Sequence, residues 1–347
     1  MHDWNRSLRA GNGKFQNEIP AVTNFSAKEL ASMLREFLSK SNRRPKQPLP
    51  IVPLTQGTLQ DGKDKVVWFG HSASLLQLGG KTILIDPMLG RSPSPVPFGR
   101  NRRFSGQLPI SIEDFPSIDI VVLSHDHYDH FDSSSIRRLI PKTGTFLVLL
   151  GVGKRIRKRG ASSDSVIEMD WGEERTVAGI RFACTPARHF SGRGLFDRDS
   201  TLWCSWVIKT EERSLFYSGD GGYGPHFERI GKQHGPFELA IMECGQYDER
   251  WSGVHMIPEE TVQAHKDVRG GILLPVHWGG FTLALHDWND PALRVTAEAE
   301  KQGVPVWIPR IGEAVYLEQD REGWSPDPSW WKDALIPSAN KGAVAPI

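Results

Sequence analysis

The run His125-Asp126-His127-Tyr128-Asp129-His130 constrains this chain more than any other feature. It sets three imidazoles and two carboxylates within six residues, directly after the apolar run Ile118-Asp119-Ile120-Val121-Val122-Leu123-Ser124. An apolar run of that length, ended by polar residues, reads as a buried strand that carries metal ligands at its tip. A strand alternates faces with period two, so His125, His127 and Asp129 share one side while the chain stays extended. A turn at Tyr128-Asp129 then swings His130 toward a second ion. Neutral imidazole combined with carboxylate suits zinc, manganese, iron or nickel rather than calcium or magnesium.

Short β-branched runs begin at about residue 64. Val66–Phe69, Ser74–Leu78 and Thr82–Asp86 read as a meander. Further strands are expected at Phe146–Leu150, Ile180–Thr185, Leu202–Ile208, Leu215–Ser218, Leu239–Met242, Ile272–Pro275, Val306–Ile308 and Ala314–Leu317, with helices at Ser133–Leu139, Pro258–Val268 and Ala292–Gln302. Strands with helices returning between them predict two sheets with helices outside, an α/β layered domain. Residues 61–320 are assigned to it, residues 1–60 to an N-terminal arm, helix and linker packing on it, and 321–347 to a C-terminal tail that is irregular but docked. Within the first segment Ser26 and Glu29 form a capping box, followed by the apolar stripe Leu30, Met33, Leu34, Phe37 and Leu38. Residues 41–48 read as a linker.

The 42 basic residues nearly balance the 41 acidic ones, so charge gives no argument for nucleic acid. Three isolated cysteines, Cys184, Cys204 and Cys244, fit reduced thiols and a cytoplasmic setting. No secretory pattern opens the chain and no apolar run reaches about 18 residues, so membrane contact, if any, is peripheral. The run Lys154–Arg159 either attracts acidic lipid or is a solvated helix face. Oligomeric state is not readable.

Two metals need more ligands than one motif supplies, and residues where apolar runs meet a break qualify: His189, Asp220 in a glycine turn, and His277. This order, H-x-H-x-D-H followed by His, Asp and His, resembles the metallo-β-lactamase superfamily. That resemblance implies a four-layer αββα sandwich with its metal site at one edge. It also implies His125, His127 and His189 on one metal, Asp129, His130 and His277 on the other, and Asp220 bridging. Lys14–Asn17, Trp68-Phe69-Gly70-His71-Ser72, Ile85-Asp86-Pro87, Tyr217–Tyr223, Tyr247–Trp251 and His277-Trp278-Gly279-Gly280-Phe281 are similar to N-acylphosphatidylethanolamine phospholipase D and its bacterial relatives.

The resemblance implies a hydrolase with two divalent ions, zinc first, about 3.5–4 Å apart, sharing a water whose pKa falls toward about 7. Asp129 and Asp220 are then the catalytic carboxylates, Asp129 orienting the nucleophile. A phosphodiester, as a small molecule or of a phospholipid, is the leading substrate. A lactone or other ester is the alternative, and an RNA-processing nuclease or a diiron redox protein stands behind both. Asp126 is expected to hold an imidazole or a backbone turn. His71 is open between touching substrate, supporting the site and a structural place. His255, before a helix with Pro258 near its start, either contacts a substrate phosphate or only caps the helix. Gln246, Tyr247 and Arg250 are placed at the pocket rim, Arg250 for an anionic substrate unless it forms a surface ion pair. Glu243 receives no role.

Overall fold

The computed structural model describes residues 7–9, 12–21, 26–39, 42–94, 101–318 and 326–335. The arm at 1–6, 10–11 and 22–24, Ser41, and the tail at 321–325 and 336–347 lie outside the described residues, as do the side chains of Leu30, Phe37 and Leu38.

Two mixed sheets face one another. The first has seven strands in the order Ala314–Tyr316, Lys65–Trp68, Ser74–Leu78, Lys81–Ile85, Ile118–Val122, Thr143–Leu149 and Val166–Met169. The second has six, in the order Gly270–Val276, Phe237–Glu243, Ser214–Tyr217, Ser205–Lys209, Ile180–Thr185 and Glu174–Val177. Each sheet has an antiparallel meander at one side and parallel strands at the other. Parallel neighbours cannot be joined by a hairpin, so helices make the crossovers. Ser133–Leu139 and Gly153–Arg157 do so on the first sheet, His226–His234 and Pro258–Asp267 on the second. Helices outside and sheets inside make the αββα sandwich.

The parallel strands read as near-continuous apolar runs because both faces are covered. Ile120, Val121, Val122 and Leu147 on the first sheet, and Leu239, Ala240, Ile241 and Leu273 on the second, are fully buried. The sheets meet through large aromatic residues. Trp206 on the second sheet donates its indole N–H to the Leu123 carbonyl at the tip of a first-sheet strand, at 3.0 Å. Trp68 and Trp278 stack with ring centroids 5.3 Å apart, one from each sheet.

Several elements differ from the sequence expectation. Leu202–Ile208 joins its sheet only from Ser205. Val306–Ile308 is not a strand: prolines at 305 and 309 flank it, and it contributes one isolated bridge, Leu273 to Val306. Val166–Met169 and Glu174–Val177 are edge strands that the sequence hid: the first has three half-buried positions in a row and the second opens on exposed Glu174 and Arg175, so neither alternates. The short helix Gln56–Leu59 and the histidine- and glycine-bearing His226–His234 were also not read, whereas the basic run at 154–159 does begin on a helix, Gly153–Arg157. The capping box at Ser26 forms, with the Ser26 N–H on Glu29 at 2.7 Å and the Glu29 N–H on Ser26 Oγ at 3.2 Å. Leu34, assigned to the apolar stripe of Ala27–Ser39, is exposed. In the tail, Trp330 and Trp331 are buried, and the Trp330 indole donates to the Ile308 carbonyl at 2.9 Å.

Gly231, inside His226–His234, lets that helix close on the C-terminal end of Pro258–Asp267. A Cβ there would stand 2.2 Å from the Asp267 carbonyl oxygen. Helix propensity favours alanine by about 1 kcal/mol, whereas overpacking against a backbone costs about 1–3 kcal/mol. Gly231→Ala is therefore expected to lower the urea midpoint, by up to about 2 kcal/mol of stability. A raised midpoint would show that the helices are not held at this closeness.

Candidate metal centre

Site residues sit where strands end, along one edge of both sheets. His125 follows Ile118–Val122, Asp86 follows Lys81–Ile85, and His71 follows Lys65–Trp68. From the second sheet come His189 after Ile180–Thr185, Asp220 after Ser214–Tyr217, Glu243 ending its own strand, and His277 after Gly270–Val276. Open α/β sheets bind ligands at the carboxyl ends of their parallel strands. Here two such ends converge. His71 and His277 also cross-link the sheets by backbone, the His71 N–H donating to Trp278 O at 2.8 Å and the His277 N–H to His71 O at 2.9 Å. His71, Asp86, Gln246 and His277 all have positive φ, between 39° and 67°. Non-glycine residues adopt that region at a cost, and it collects at functional sites.

The outer ring nitrogens are committed as donors, so in the neutral rings the inner ones are acceptors. Ser124 Oγ uses its hydrogen on Asp86, at 2.5 Å, so His125 Nδ1–H must donate to Ser124 Oγ, at 2.9 Å. His130 Nδ1–H donates to Asp86 at 2.7 Å, His189 Nδ1–H to the Val254 carbonyl at 2.9 Å, and His277 Nδ1–H to the Gly245 carbonyl at 3.2 Å. The four Nε2 lone pairs therefore point inward, and His127 turns Nδ1 to meet them.

Two groups result. His125, His127 and His189 form one, with His125 Nε2 at 2.9 Å and His189 Nε2 at 3.3 Å from His127 Nδ1. Asp129, His130 and His277 form the other, joined by His71, whose Nε2 lies 2.8 Å from Asp129 Oδ2. Asp220 Oδ2 stands between them, 3.8 and 3.9 Å from Nε2 of His125 and His189, and 3.0 and 3.1 Å from Nε2 of His130 and His277.

The donor set fits cations. His125 Nε2 and His127 Nδ1, 2.9 Å apart, are both nitrogens that a cation can take as ligands. His130 Nε2 and Asp220 Oδ1 are buried with no hydrogen-bond partner, which a metal would satisfy. Burial pushes His125, His127 and His189 down, His127 to about 4, which keeps them neutral. At His130 and His277 burial also pulls down, but Asp220 and Asp129 outweigh it, leaving both raised, His277 to about 10. For Asp129 and Asp220 burial pulls up, and the His130 charge outweighs it.

The structure separates the remaining predicted site residues. His255 lines the cavity beside the cluster, its Nδ1–H on Glu243 at 2.9 Å. Gln246 also lines it, but spends its side chain on loop backbone, donating to His277 O at 3.3 Å and Phe281 O at 3.2 Å and accepting from the Leu283 N–H at 2.8 Å. His71 is fully buried behind Asp129. Tyr247 and Arg250 are not brought to the pocket. Tyr247 donates its hydroxyl to Asp290, and Arg250 is taken by Asp248 and by Glu36 at 2.9 Å. Asp126 holds no imidazole: it accepts from the Gly192 N–H at 2.9 Å and pairs with Arg155 at 2.8 Å.

The cavity of about 310 Å³ reaches His127, Asp129, Asp220 and His277, with Phe190, Arg198, Trp251, Val254 and Leu283 around them. None of these five was singled out from the sequence. Trp251 ends the family-like segment Tyr247–Trp251, Val254 precedes His255, and the others are marked only by nearness in the chain to His189 or His277. Asp86 and Glu243 were equally unassigned, although each is an acidic residue ending an apolar run. Glu243 accepts from the Met256 N–H at 2.8 Å as well as from His255, and lies 3.4 Å from His277 Nδ1.

A sandwich with such a donor set at its edge defines a metal-dependent hydrolase. The chain belongs to the beta-lactamase superfamily, whose domain profile matches residues 81–278. An uncharacterised protein of Mycobacterium tuberculosis is 38% identical over 326 residues, covering 92% of this chain and 86% of its own. The N-acyl-phosphatidylethanolamine-hydrolyzing phospholipase D 1 of Caenorhabditis elegans is 31% identical over 283 residues, covering 78% and 79% respectively. Igni18, a metallo hydrolase from Ignicoccus hospitalis, shares the fold with a TM-score of 0.56 at 24% identity, over 74% of this chain and 99% of that one.

Raised His130 and His277 are protonated at neutral pH without a cation, yet both must yield Nε2 to bind one. Metal loading near pH 7 is therefore expected to release about two protons per chain, and affinity to fall as pH falls. Titration calorimetry in buffers of different ionisation enthalpy measures this; no release would contradict the assigned donors. Asp86→Asn removes the negative charge and replaces one of the two oxygens that take the Ser124, His130 and Tyr217 donors by an N–H donor, and is expected to weaken metal binding about 10–100-fold in a chelator competition. Unchanged affinity would mean that the carboxylate serves packing alone.

Proposed function

We propose that the chain is a dinuclear phosphodiesterase acting on an N-acylated phosphatidylethanolamine or a close phospholipid relative. The observation carrying this is the cavity itself: an arginine and an apolar wall line it together beside the donor cluster. Arg198, stacked 4.3 Å over the Phe190 ring and paired with Asp199 at 3.5 Å, would exchange that partner for the diester, while Phe190, Trp251, Val254 and Leu283 suit acyl chains. Similarity to the worm phospholipase D supports the same reading.

His125, His127 and His189 would hold one metal, Asp129, His130 and His277 the second, and Asp220 would bridge. Bound there, divalent cations supply Lewis acidity and a water of lowered pKa. Zinc suits the imidazole-rich donors, and manganese, iron or nickel can replace it. The protein's own groups orient the reaction. Asp129, fixed by His71 at 2.8 Å, presents a carboxylate edge to the cavity, suited to accept a hydrogen bond from the attacking water. Asp220 keeps the two donor groups in one frame. His255, clamped through Nδ1 by Glu243, leaves Nε2 for a substrate oxygen or its proton. Three buried free cysteines suit a reducing, cytoplasmic setting.

Metal-loaded protein is expected to release phosphatidic acid from N-acylphosphatidylethanolamine in mixed micelles and to cleave bis-p-nitrophenyl phosphate. His127→Ala should lower both rates at least about a hundred-fold while the folded signal persists. Turnover of lactones with neither phosphodiester touched would replace this reading by the ester-hydrolase one.

A further inference from the structure

We infer that the loop at residues 191–199 is a bilayer-docking surface: Leu195 and Phe196 insert among anionic phospholipids and bring the cavity mouth to the membrane. Leu195 is 91% and Phe196 93% exposed, the two most exposed of the large apolar residues described. Single exposed apolar side chains are ordinary, but two adjacent ones at a loop tip expose a continuous apolar surface.

The loop is braced rather than floppy. Its ends close through the Asp199 N–H on Ser191 O at 2.9 Å. Asp197 accepts from the Arg193 and Gly194 N–H groups at 2.9 and 2.7 Å, and from the Arg155 guanidinium at 2.8 Å. Arg193 anchors the near side, donating to Asp126 O at 2.7 Å and Phe131 O at 2.8 Å, over the ring of Tyr128 at 3.9 Å. A tip held this firmly loses little conformational freedom on insertion. The bracing leaves Leu195 and Phe196 almost wholly exposed at the tip.

Two further observations choose a bilayer as the occupant. The brace comes from the basic helix Gly153–Arg157, on which Arg155 is spent inward while Lys154, and Lys158 just beyond the helix, are exposed. Apolar tip plus cationic flank is the composition that anionic headgroups and acyl chains bind together. The same loop forms the cavity wall: Phe190 and Arg198 line the cavity, and Leu283, across from them, is exposed as well. Insertion of the tip thus sets the opening against the lipid from which a phospholipid substrate would be drawn. This purpose rests on the lipid reading above; the docking itself is measured without turnover.

The test is co-sedimentation of full-length metal-loaded protein with phosphatidylcholine vesicles, with and without phosphatidylglycerol, at low salt. Wild type is expected to sediment with the anionic vesicles and much less with the neutral ones. Leu195→Ser/Phe196→Ser should reduce partitioning to anionic vesicles at least about ten-fold, with metal content unchanged. Lys154→Ala and Lys158→Ala should each reduce it about five-fold, and only for anionic vesicles. Wild type remaining in the supernatant with both vesicles would overturn the inference. So would a double serine variant that sediments like wild type, or one that leaves vesicle binding intact while turning a dimer into a monomer on gel filtration, which would make the tip a self-association surface. If docking holds but no phospholipid is cleaved, the proposed reaction fails and the membrane surface stands.

Discussion

The site depends on Asp86, a carboxylate with no exposure, held where the first sheet ends. It accepts from the Ser124 N–H at 2.7 Å, from Ser124 Oγ at 2.5 Å, from His130 Nδ1 at 2.7 Å and, across the sandwich, from Tyr217 Oη at 2.5 Å. Four donors converge on one buried anion, so its charge is compensated by fixed dipoles rather than water. Ser124, oriented by Asp86, in turn orients His125. One carboxylate therefore aims an imidazole of each donor group and ties them to a strand of the opposite sheet. Glu243 plays the corresponding part on the second sheet, steadying His255 and the loop at Met256 beside His277.

This division explains how much was legible in the sequence. His125, His127, Asp129 and His130 stand within six residues after a strand, so spacing alone pointed to metal chemistry. His189, Asp220 and His277 are separate, and only their order behind the first motif singled them out. The layered α/β class followed from the alternation of apolar runs with helical stretches, while the edge strands Val166–Met169 and Glu174–Val177 stayed hidden because neither alternates buried and exposed positions. Asp86 and Glu243 show no spacing to anything; their meaning is a three-dimensional convergence. Tyr247 and Arg250 were placed at the pocket rim because their segment resembles the phospholipase family and an arginine suits an anionic substrate. Local partners, Asp290 for one and Asp248 with Glu36 for the other, draw them away.

The basic run at 154–159 shows the same limit from another side. As a string of charges it reads as a solvated face or a polyanion site. In the fold it divides: Arg155 bridges Asp126 and Asp197, Arg157 pairs with Glu168 at 3.2 Å, and Arg159 reaches Ser133 at 2.5 Å over the Phe131 ring. Asp126, inside the opening motif, is thus an anchor joining the motif to the loop at 191–199 rather than a ligand. The motif, the basic helix and the cavity wall are one mechanically connected unit. Among the described residues no helix is long and apolar enough to cross a membrane.

The central claim is that seven inward-facing donors are built for two cations. Elemental analysis of the protein purified without added metal or chelator tests it most directly. The account predicts close to two divalent transition-metal ions per chain, falling to about one in a His189→Ala variant that keeps its fold. Protein that emerges metal-free, and that takes up none when zinc, manganese, iron or nickel is supplied, would contradict it.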